Sequence, residues 1–170
     1  FDLVAAPQVH DSHAKAWNML SDNRRLNIIN IDSHHDTWYS KTIQGLEQAQ
    51  TDCGNWIGKL ALDGRINRVT QIYPRGRRPI HEFYPNQGPF NKVLGGKWSV
   101  AYKLEPVLGD LTIHKVFICR SGAWTPPWAD RHFVGFVEAM PPGLRDRLVN
   151  WCPADFIRPD PPLKLVSKTA

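Results

Sequence analysis

The apolar residues in the first part of the chain alternate between strand-like and helix-like patterns. Residues 1–6 form a short apolar segment, and residues 26–31 (LNIINI) form a nearly continuous β-branched run. Runs of this kind are typical of parallel strands that are buried on both faces. Between them, Ala14, Trp17 and Leu20 recur at three-residue steps, which predicts a short amphipathic helix. The pattern therefore predicts one β-α-β unit.

A second helix and a further strand are predicted next along the chain. The apolar face of residues 56–61 predicts a helix, and Gly64 stands where a helix end favours a left-handed residue. Residues 66–73 are predicted to form a strand that Pro74 stops. The Pro- and Gly-rich segment from there to about residue 96 is predicted to be a loop, and loops of this length are often functional.

The rest of the chain adds two strands and two helices. Residues 98–104 alternate between apolar and polar, which predicts a half-exposed strand at a sheet edge or in a hairpin. Residues 113–119 contain a strand that we expect to be buried, and residues 131–140 form a helix. Prolines then leave room for one short helix around 144–151 and a Pro-rich tail from about residue 153.

This alternation of strands and helices predicts the fold class. We expect a three-layer α/β/α fold with a mostly parallel sheet, built as a single domain over residues 1–170. Ligands of such folds bind at the carboxyl ends of the parallel strands. Functional residues should therefore be sought where strands end.

Composition narrows the class of protein. The 170 residues, of which 42% are hydrophobic and 22% charged, suit one ordinary globular domain. No apolar stretch approaches the roughly 18 residues of a membrane span, and no signal sequence opens the chain, so we expect a cytoplasmic protein with no membrane partner. The three cysteines are widely spaced and form no C-x-x-C motif, which favours reduced thiols over disulfides or a zinc site.

The formal charge of +5 raises the question of an anionic partner. The positive residues are scattered, and the densest cluster is Arg75, Arg77 and Arg78 in the predicted loop. We interpret this cluster as solvated and expect no nucleic-acid partner, because no nucleic-acid-binding signature accompanies it.

The most informative segment is Asp-Ser-His-His-Asp, which directly follows the LNIINI strand. Residues leaving a strand end can curl so that Asp32, His34 and Asp36 converge. Two carboxylates and one imidazole suit a borderline-to-hard divalent ion such as Mn²⁺ better than Zn²⁺, which favours thiolates. The alternative is that these side chains cap a loop and face water.

This D-x-H-x-D segment resembles the metal-binding signature of the arginase and deacetylase superfamily. The order of elements looks closest to the small arginase-like proteins that include peptide arginases, which convert arginine side chains of a ribosomally made peptide to ornithine and urea. The resemblance implies an arginase-like fold, one or two Mn²⁺ ions held by Asp32, His34 and Asp36, and an arginine-containing peptide as partner. It also implies an upstream histidine ligand, for which His13 fits best and His10 is the reserve. The sequence leaves open whether the chain forms a homo-oligomer.

One departure from the family pattern concerns the second metal. Arginases carry a D-x-D pair at the end of a later strand, where this chain has Cys119, Arg120 and Ser121. A neutral thiol and a serine do not replace bridging carboxylates, and arginine repels a cation. The open outcomes are a single metal, a second site rebuilt with Asp130, or an inactive descendant. Asp130 could instead cap the helix that follows it.

Three further residues are candidates for catalysis and substrate binding. Collapse of a tetrahedral intermediate needs proton delivery to the leaving amine, and His35 beside the ligands could supply it, unless it packs structurally. Asn55 could orient the substrate or cap a helix start. Trp124 could stack on a guanidinium or belong to the core.

Two other functions compete with arginine hydrolysis. A deacetylase-like amide hydrolase of the same fold would need one metal and a tyrosine that polarises the carbonyl, for which Tyr39 and Tyr102 are candidates. A non-catalytic binding module with a degenerate metal site is the alternative outside enzymes. Metal content separates these classes of protein.

Overall fold

A computed structural model describes residues 2–20, 25–37, 42–73, 94–104, 107, 111–121 and 125–159. Most of the predicted long loop with its arginine cluster, together with Tyr39 and Trp124, lies outside these ranges. The fold is mixed α/β with parallel strands, which confirms the class at that level. The chain forms two compact units: Phe1–Val4 with His13–Ile113, and Ala5–Ser12 with His114–Ala170.

The described strands are β1 (Asp2–Leu3), β2 (Gln8–His10), β3 (Leu26–Ile31), β4 (Ile66–Ile72), β5 (Trp98–Ala101), β6 (Thr112–Ile113) and β7 (Phe117–Cys119). The described helices are α1 (Lys15–Met19), α2 (Ile43–Gln48), α3 (Trp56–Leu62), α4 (Asp130–Glu138) and α5 (Pro142–Arg145). Short 3₁₀ turns cover Pro127–Ala129 and Pro153–Phe156.

A parallel three-stranded sheet, in the order β3-β4-β5, forms the centre of the first unit. Ile31 pairs with Ile72, and Ile72 pairs with Ala101. Because all three strands run in the same direction, their carboxyl ends meet at one edge. Among the described strands, β5 pairs only with β4, so it is an edge strand there, as one of the two predicted alternatives had it. Because this pairing is parallel, β4 and β5 do not form a hairpin.

The prediction that LNIINI is buried on both faces is wrong. No residue of β3 is fully buried, and Ile31 is 56% exposed. Among the described strands β3 pairs only with β4, so it too is an edge strand. A β-branched run indicates a strand, but the number of its neighbours decides how far it is buried.

Helices α2 and α3 follow β3 and contribute much of the core of this unit. Leu46, Ile57, Leu60 and Val69 are completely buried. Burying each such side chain contributes roughly 1.5–3 kcal/mol. Helix α3 ends as predicted, because Gly64 adopts a φ of +66° and its N–H bonds to the carbonyl of Ala61.

The second unit is built around the parallel pair β2 and β7 and helix α4. The Phe156 ring lies 5.4 Å from that of Phe133 and 5.2 Å from that of Trp151. The beginning of the predicted tail is thus ordered as a 3₁₀ turn with Phe156 buried. Helix α5 is shorter than predicted and begins at Pro142 rather than near residue 144.

Within the described ranges, none of the helices has the length and apolar character needed to cross a membrane.

Candidate metal centre

Asp32 begins a turn at the carboxyl edge of the central sheet. Its N–H donates to the carbonyl of Ile72 at 3.2 Å, so the pairing of β3 with β4 continues into this residue. Its own Oδ1 then accepts a 2.8 Å hydrogen bond from the N–H of His34. Aspartate commonly closes turns through this local bond. The carboxylate is therefore fixed by both the strand and the turn.

Asp36 is held at the start of helix α3. Its carbonyl accepts hydrogen bonds from the N–H groups of Ile57 at 2.9 Å and Gly58 at 3.4 Å, which are otherwise unpaired donors of the first helical turn. Asp36 has a φ of +49°, a left-handed conformation that aspartate tolerates better than most residues. The helix thereby fixes the backbone of this second acidic residue.

The missing side chain of Gly58 allows this close approach. A Cβ at that position would lie 1.9 Å from the carbonyl oxygen of Thr37. Helix α3 can therefore pack directly against the turn that carries Asp36.

His13 completes a cluster with the two acidic residues. Its Nδ1 lies 3.1 Å from Oδ2 of Asp36 and 3.4 Å from Oδ2 of Asp32. One ligand atom from each residue falls within 4.8 Å of the others. His10, the reserve candidate, instead stacks on Phe117 in the second unit, with ring centroids 5.1 Å apart. The structure thus favours His13 over His10 as the upstream histidine.

The donor set fits a divalent cation. Asp36 is only 2% exposed as a residue, and burial is the main reason that the pKa of its carboxyl is raised. The nearby charge of Asp32 raises this pKa further, whereas the hydrogen bond with His13 lowers it. Two carboxylates that share one imidazole leave acceptor oxygens that a cation can coordinate. Oxygen and imidazole donors suit Mn²⁺ among other ions, and they do not select one metal.

His34 lies on the other side of the Asp32 carboxylate. Its Nδ1 is 3.4 Å from Oδ1 of Asp32, and its side chain is 53% exposed. The three-residue cluster does not include it. Asp32 therefore presents one oxygen to His13 and the other to His34, and the predicted role of His34 as a ligand stays a prediction.

The environment of His35 argues against its predicted role as proton donor. The side chain is buried, and burial, aided by the neighbouring His34, lowers its pKa to about 4. Its Nδ1 accepts hydrogen bonds from the N–H of Thr37 at 3.2 Å and from the Thr37 hydroxyl. An imidazole that is neutral near pH 7 keeps only one ring N–H, which is too weak an acid to protonate a leaving amine. We therefore assign His35 a structural role.

The Asn55 side chain is hydrogen-bonded within the loop that precedes α3. It is fully buried, its Oδ1 accepts from the N–H of Asp52 at 2.8 Å, and its Nδ2 donates to the carbonyl of Gln50 at 2.8 Å. Its role in substrate binding stays a prediction. Asn55 is the N-cap residue of α3, as the alternative expected, but its side chain makes no cap hydrogen bond. The amide instead folds the loop before the helix. Trp124, the other predicted substrate contact, lies outside the described residues.

Asp130 is bound by two arginines of the second unit. Arg158 donates from Nε to Oδ2 at 2.9 Å and from Nη2 to Oδ1 at 2.7 Å, and Nη1 of Arg120 lies 3.0 Å from Oδ2. The bonds from Arg158, together with the charge of Arg120, lower the pKa of the fully buried Asp130 carboxyl to about 2.

These ion pairs correct both interpretations of Asp130. Its oxygens are already committed to guanidinium groups, so we leave it out of the proposed metal site. It is not a cap either, because α4 is preceded by Ala129 and Asp130 is its first helical residue. The segment after β7 contributes Arg120 to this ion-pair network.

Sequence reasoning missed one contributor to the cluster. Nε1 of Trp56 donates a 2.8 Å hydrogen bond to Oδ2 of Asp36. Trp56 was predicted only as part of the apolar face of a helix, and its spacing carries no sign of the polar contact. Its position at the first turn of α3, next to a fully buried asparagine, is visible only in the fold.

Comparisons with protein-family models, with curated proteins and with solved structures found no match for this chain.

Proposed function

We propose that the chain is a Mn²⁺-dependent hydrolase of C–N bonds, and specifically a peptide arginase. Its substrate would be an arginine side chain within a ribosomally made peptide, and its products would be ornithine and urea. The observation that carries the proposal is the convergence of His13, Asp32 and Asp36 at the carboxyl edge of a parallel sheet. The choice of arginine as substrate follows from the resemblance of the D-x-H-x-D segment.

His13, Asp32 and Asp36 would hold the cation. When bound, a divalent ion supplies Lewis-acid activation of water at neutral pH. Hydrolysis then joins a water oxygen to the guanidinium carbon and breaks the bond from that carbon to the side-chain nitrogen, which takes up a proton. The residues of this chain fix where that water is activated, because the turn and helix α3 hold both carboxylates in place.

The cluster is partly exposed to solvent on one side. The side chains of His13 and Asp32 are 14% and 16% exposed, whereas that of Asp36 is 3% exposed. The site therefore has one closed side, where Asp36 meets α3, and one open side. In the proposed reaction, the arginine side chain would reach the cluster from the side of His13 and Asp32, with the peptide backbone outside.

An amide hydrolase is the second candidate. Tyr102 directly follows β5 at the same edge of the sheet and is 72% exposed. A tyrosine at that edge could polarise a substrate carbonyl, which is what deacetylase-like chemistry requires. Tyr39, the other candidate, lies outside the described residues.

The test is mass spectrometry of an arginine-containing peptide incubated with the protein and Mn²⁺. Arginine hydrolysis removes one CH₂N₂ unit, a loss of about 42 Da, when water attacks the guanidinium carbon. We expect this loss with wild type and with Asp63→Asn, a control at an exposed position, but not with Asp32→Ala. Release of acetate from an acetyl-lysine peptide would favour the amide hydrolase. If neither product forms and the protein binds no metal, the result would favour a non-catalytic binding module.

A further inference from the structure

Two amide side chains lie beneath the turn that carries the metal-site residues. Asn30 of β3 and Gln71 of β4 are direct partners in the parallel register. Gln71 is completely buried, and it lies between Thr70 and Ile72 near the carboxyl end of β4. A buried amide is costly unless its hydrogen bonds are made, so its partners indicate what it does there.

Gln71 binds the backbone of the turn with its nitrogen and the side chain of Asn30 with its oxygen. Its Nε2 donates to the carbonyl of Asp32 at 2.8 Å and to the carbonyl of His34 at 3.2 Å. Its Oε1 accepts a 2.9 Å hydrogen bond from Nδ2 of Asn30, which also lies 3.3 Å from the carbonyl of His34.

The chemistry of these partners fixes the orientation of both amides. Backbone carbonyls can only accept hydrogen bonds, so the nitrogen of Gln71 must face Asp32 and His34. Its oxygen must then face Asn30, which has to present its own nitrogen. Asn30 therefore orients Gln71, and Gln71 orients the turn.

We infer that Gln71 is a positioning residue of the metal site, because its amide holds the Asp32 and His34 carbonyls and so aims the Asp32 carboxylate at His13 and Asp36. The inference rests on the proposed function, since it concerns the same centre. Gln71 touches no ligand atom of the cluster and acts through the backbone alone. Without its N–H groups, two carbonyls of the turn lose a buried donor, and the turn can move to find another.

The experiment measures the dissociation constant for Mn²⁺ by titration calorimetry and the electron paramagnetic resonance spectrum of the bound ion. Gln71→Met keeps a side chain of similar size but removes the donors. Asn30→Leu leaves Gln71 in place but removes the group that orients it. Asn67→Leu is the matched control. The Asn67 side chain also donates a hydrogen bond from β4 to β3, to Oδ1 of Asn27 at 2.8 Å. This bond is exposed and lies at the opposite end of the paired strands from the turn.

We expect Gln71→Met and Asn30→Leu to bind Mn²⁺ about 10–100-fold more weakly, the usual effect of losing a group that orients a metal ligand. The spectrum of the remaining bound ion should change as well. Circular dichroism checks that each variant is folded. In a folded variant, a purely structural role of Gln71 would leave the spectrum of the bound ion unchanged. Asn67→Leu should match wild type in both measurements.

Three outcomes have distinct meanings. Wild-type affinity in folded Gln71→Met and Asn30→Leu overturns the inference and leaves the proposed function standing. If Gln71→Met does not fold, Asn30→Leu decides, and normal binding by that variant likewise overturns the inference. A wild-type chain that binds no Mn²⁺ overturns the proposed function, and the inference with it.

Discussion

The indole nitrogen of Trp56 donates a 2.8 Å hydrogen bond to Oδ2 of Asp36, the same oxygen that lies 3.1 Å from Nδ1 of His13. A core residue of helix α3 thus contacts a proposed metal ligand directly. Through this contact the packing of the helix controls which lone pairs of Asp36 are left for a cation.

Trp56→Phe should therefore lower both stability and metal affinity. The loss of a hydrogen bond to a carboxylate costs roughly 1.5–3 kcal/mol in the free energy of unfolding, measured by urea denaturation. Mn²⁺ affinity should fall by about tenfold, the lower range for loss of a group that orients a ligand.

Trp98→Phe is the matched control for this experiment. Trp98 is similarly buried, and its Nε1 has no hydrogen-bond partner among the described residues. We expect no change in Mn²⁺ affinity for Trp98→Phe. An equal loss of affinity in both variants would mean that packing, not the hydrogen bond, supports the site.

Gly58→Ala should disturb the turn from the helix side. The added methyl group would meet the carbonyl oxygen and carbon of Thr37 at 1.9 and 2.8 Å, and both are backbone atoms that cannot rotate away. We expect a loss of about 1–3 kcal/mol in the free energy of unfolding, the usual cost of overpacking, and weaker Mn²⁺ binding.

Gly135→Ala provides the contrast, because a Cβ there would meet nothing within 4 Å. In the middle of α4, alanine should stabilise the helix by up to about 1 kcal/mol relative to glycine. Chemical denaturation measures the free energy of unfolding of both variants. An unchanged value for Gly58→Ala would show that α3 does not pack closely against the turn.

Asp130→Asn should destabilise the protein without affecting metal binding. It leaves the buried guanidinium of Arg120 without its carboxylate, and breaking a buried pair in this way costs about 3–5 kcal/mol. Mn²⁺ affinity should equal that of wild type. A folded Asp130→Asn variant that binds Mn²⁺ more weakly would return Asp130 to the metal site.

The stability of the Asp130 network should also depend on acid pH. The folded-state pKa of about 2 lies below the pKa of about 3.9 in unfolded chains. This group therefore stabilises the fold fully above about pH 4, and its contribution is lost as the pH falls from there through about 2. Unfolding free energies measured across this range should drop more steeply for wild type than for Asp130→Asn. If the free energy of unfolding falls equally steeply with pH in wild type and in Asp130→Asn, the lowered pKa is not that of Asp130.

Asn55→Ala should reduce stability through the loop before α3. It removes both hydrogen bonds of a fully buried amide and leaves the N–H of Asp52 and the carbonyl of Gln50 to find other partners. We expect a loss of about 1–3 kcal/mol in the free energy of unfolding. If the variant turns over an arginine peptide, its KM should match that of wild type. A raised KM with unchanged stability would restore the predicted substrate contact.

The element order could be predicted from sequence where the periodicity is strong. The bounds of β3 match the LNIINI run, and α3 and β4 lie within a residue of their predicted ends. The strand-end argument predicted that Asp32, His34 and Asp36 converge, and the cluster contains both aspartates but not His34. His13 was indicated only by the family resemblance, because it precedes a helix and no strand pattern points to it. What periodicity could not predict was burial, since LNIINI looks equally apolar at an edge and at the centre of a sheet.

Side-chain partners were the least predictable part of the site. His35 sits in the motif but turns inward to Thr37, and Asp130 precedes a helix-like pattern but pairs with Arg158, which lies 28 residues away. Such pairings depend on which chain segments the fold brings together. Asn30 did carry a local signal, because it is polar within the largely apolar LNIINI strand. Gln71 carried none, because β4 also contains Asn67, Arg68 and Thr70.

The central claim is that His13, Asp32 and Asp36 hold a divalent cation, and equilibrium dialysis followed by metal analysis tests it most directly. The decisive variant is Asp36→Asn, which keeps an acceptor oxygen for Trp56 but removes the charge. The account predicts that wild type and Asp63→Asn retain at least one Mn²⁺ per chain and that folded Asp36→Asn retains none. Equal metal content in wild type and Asp36→Asn, or none in wild type, would contradict it.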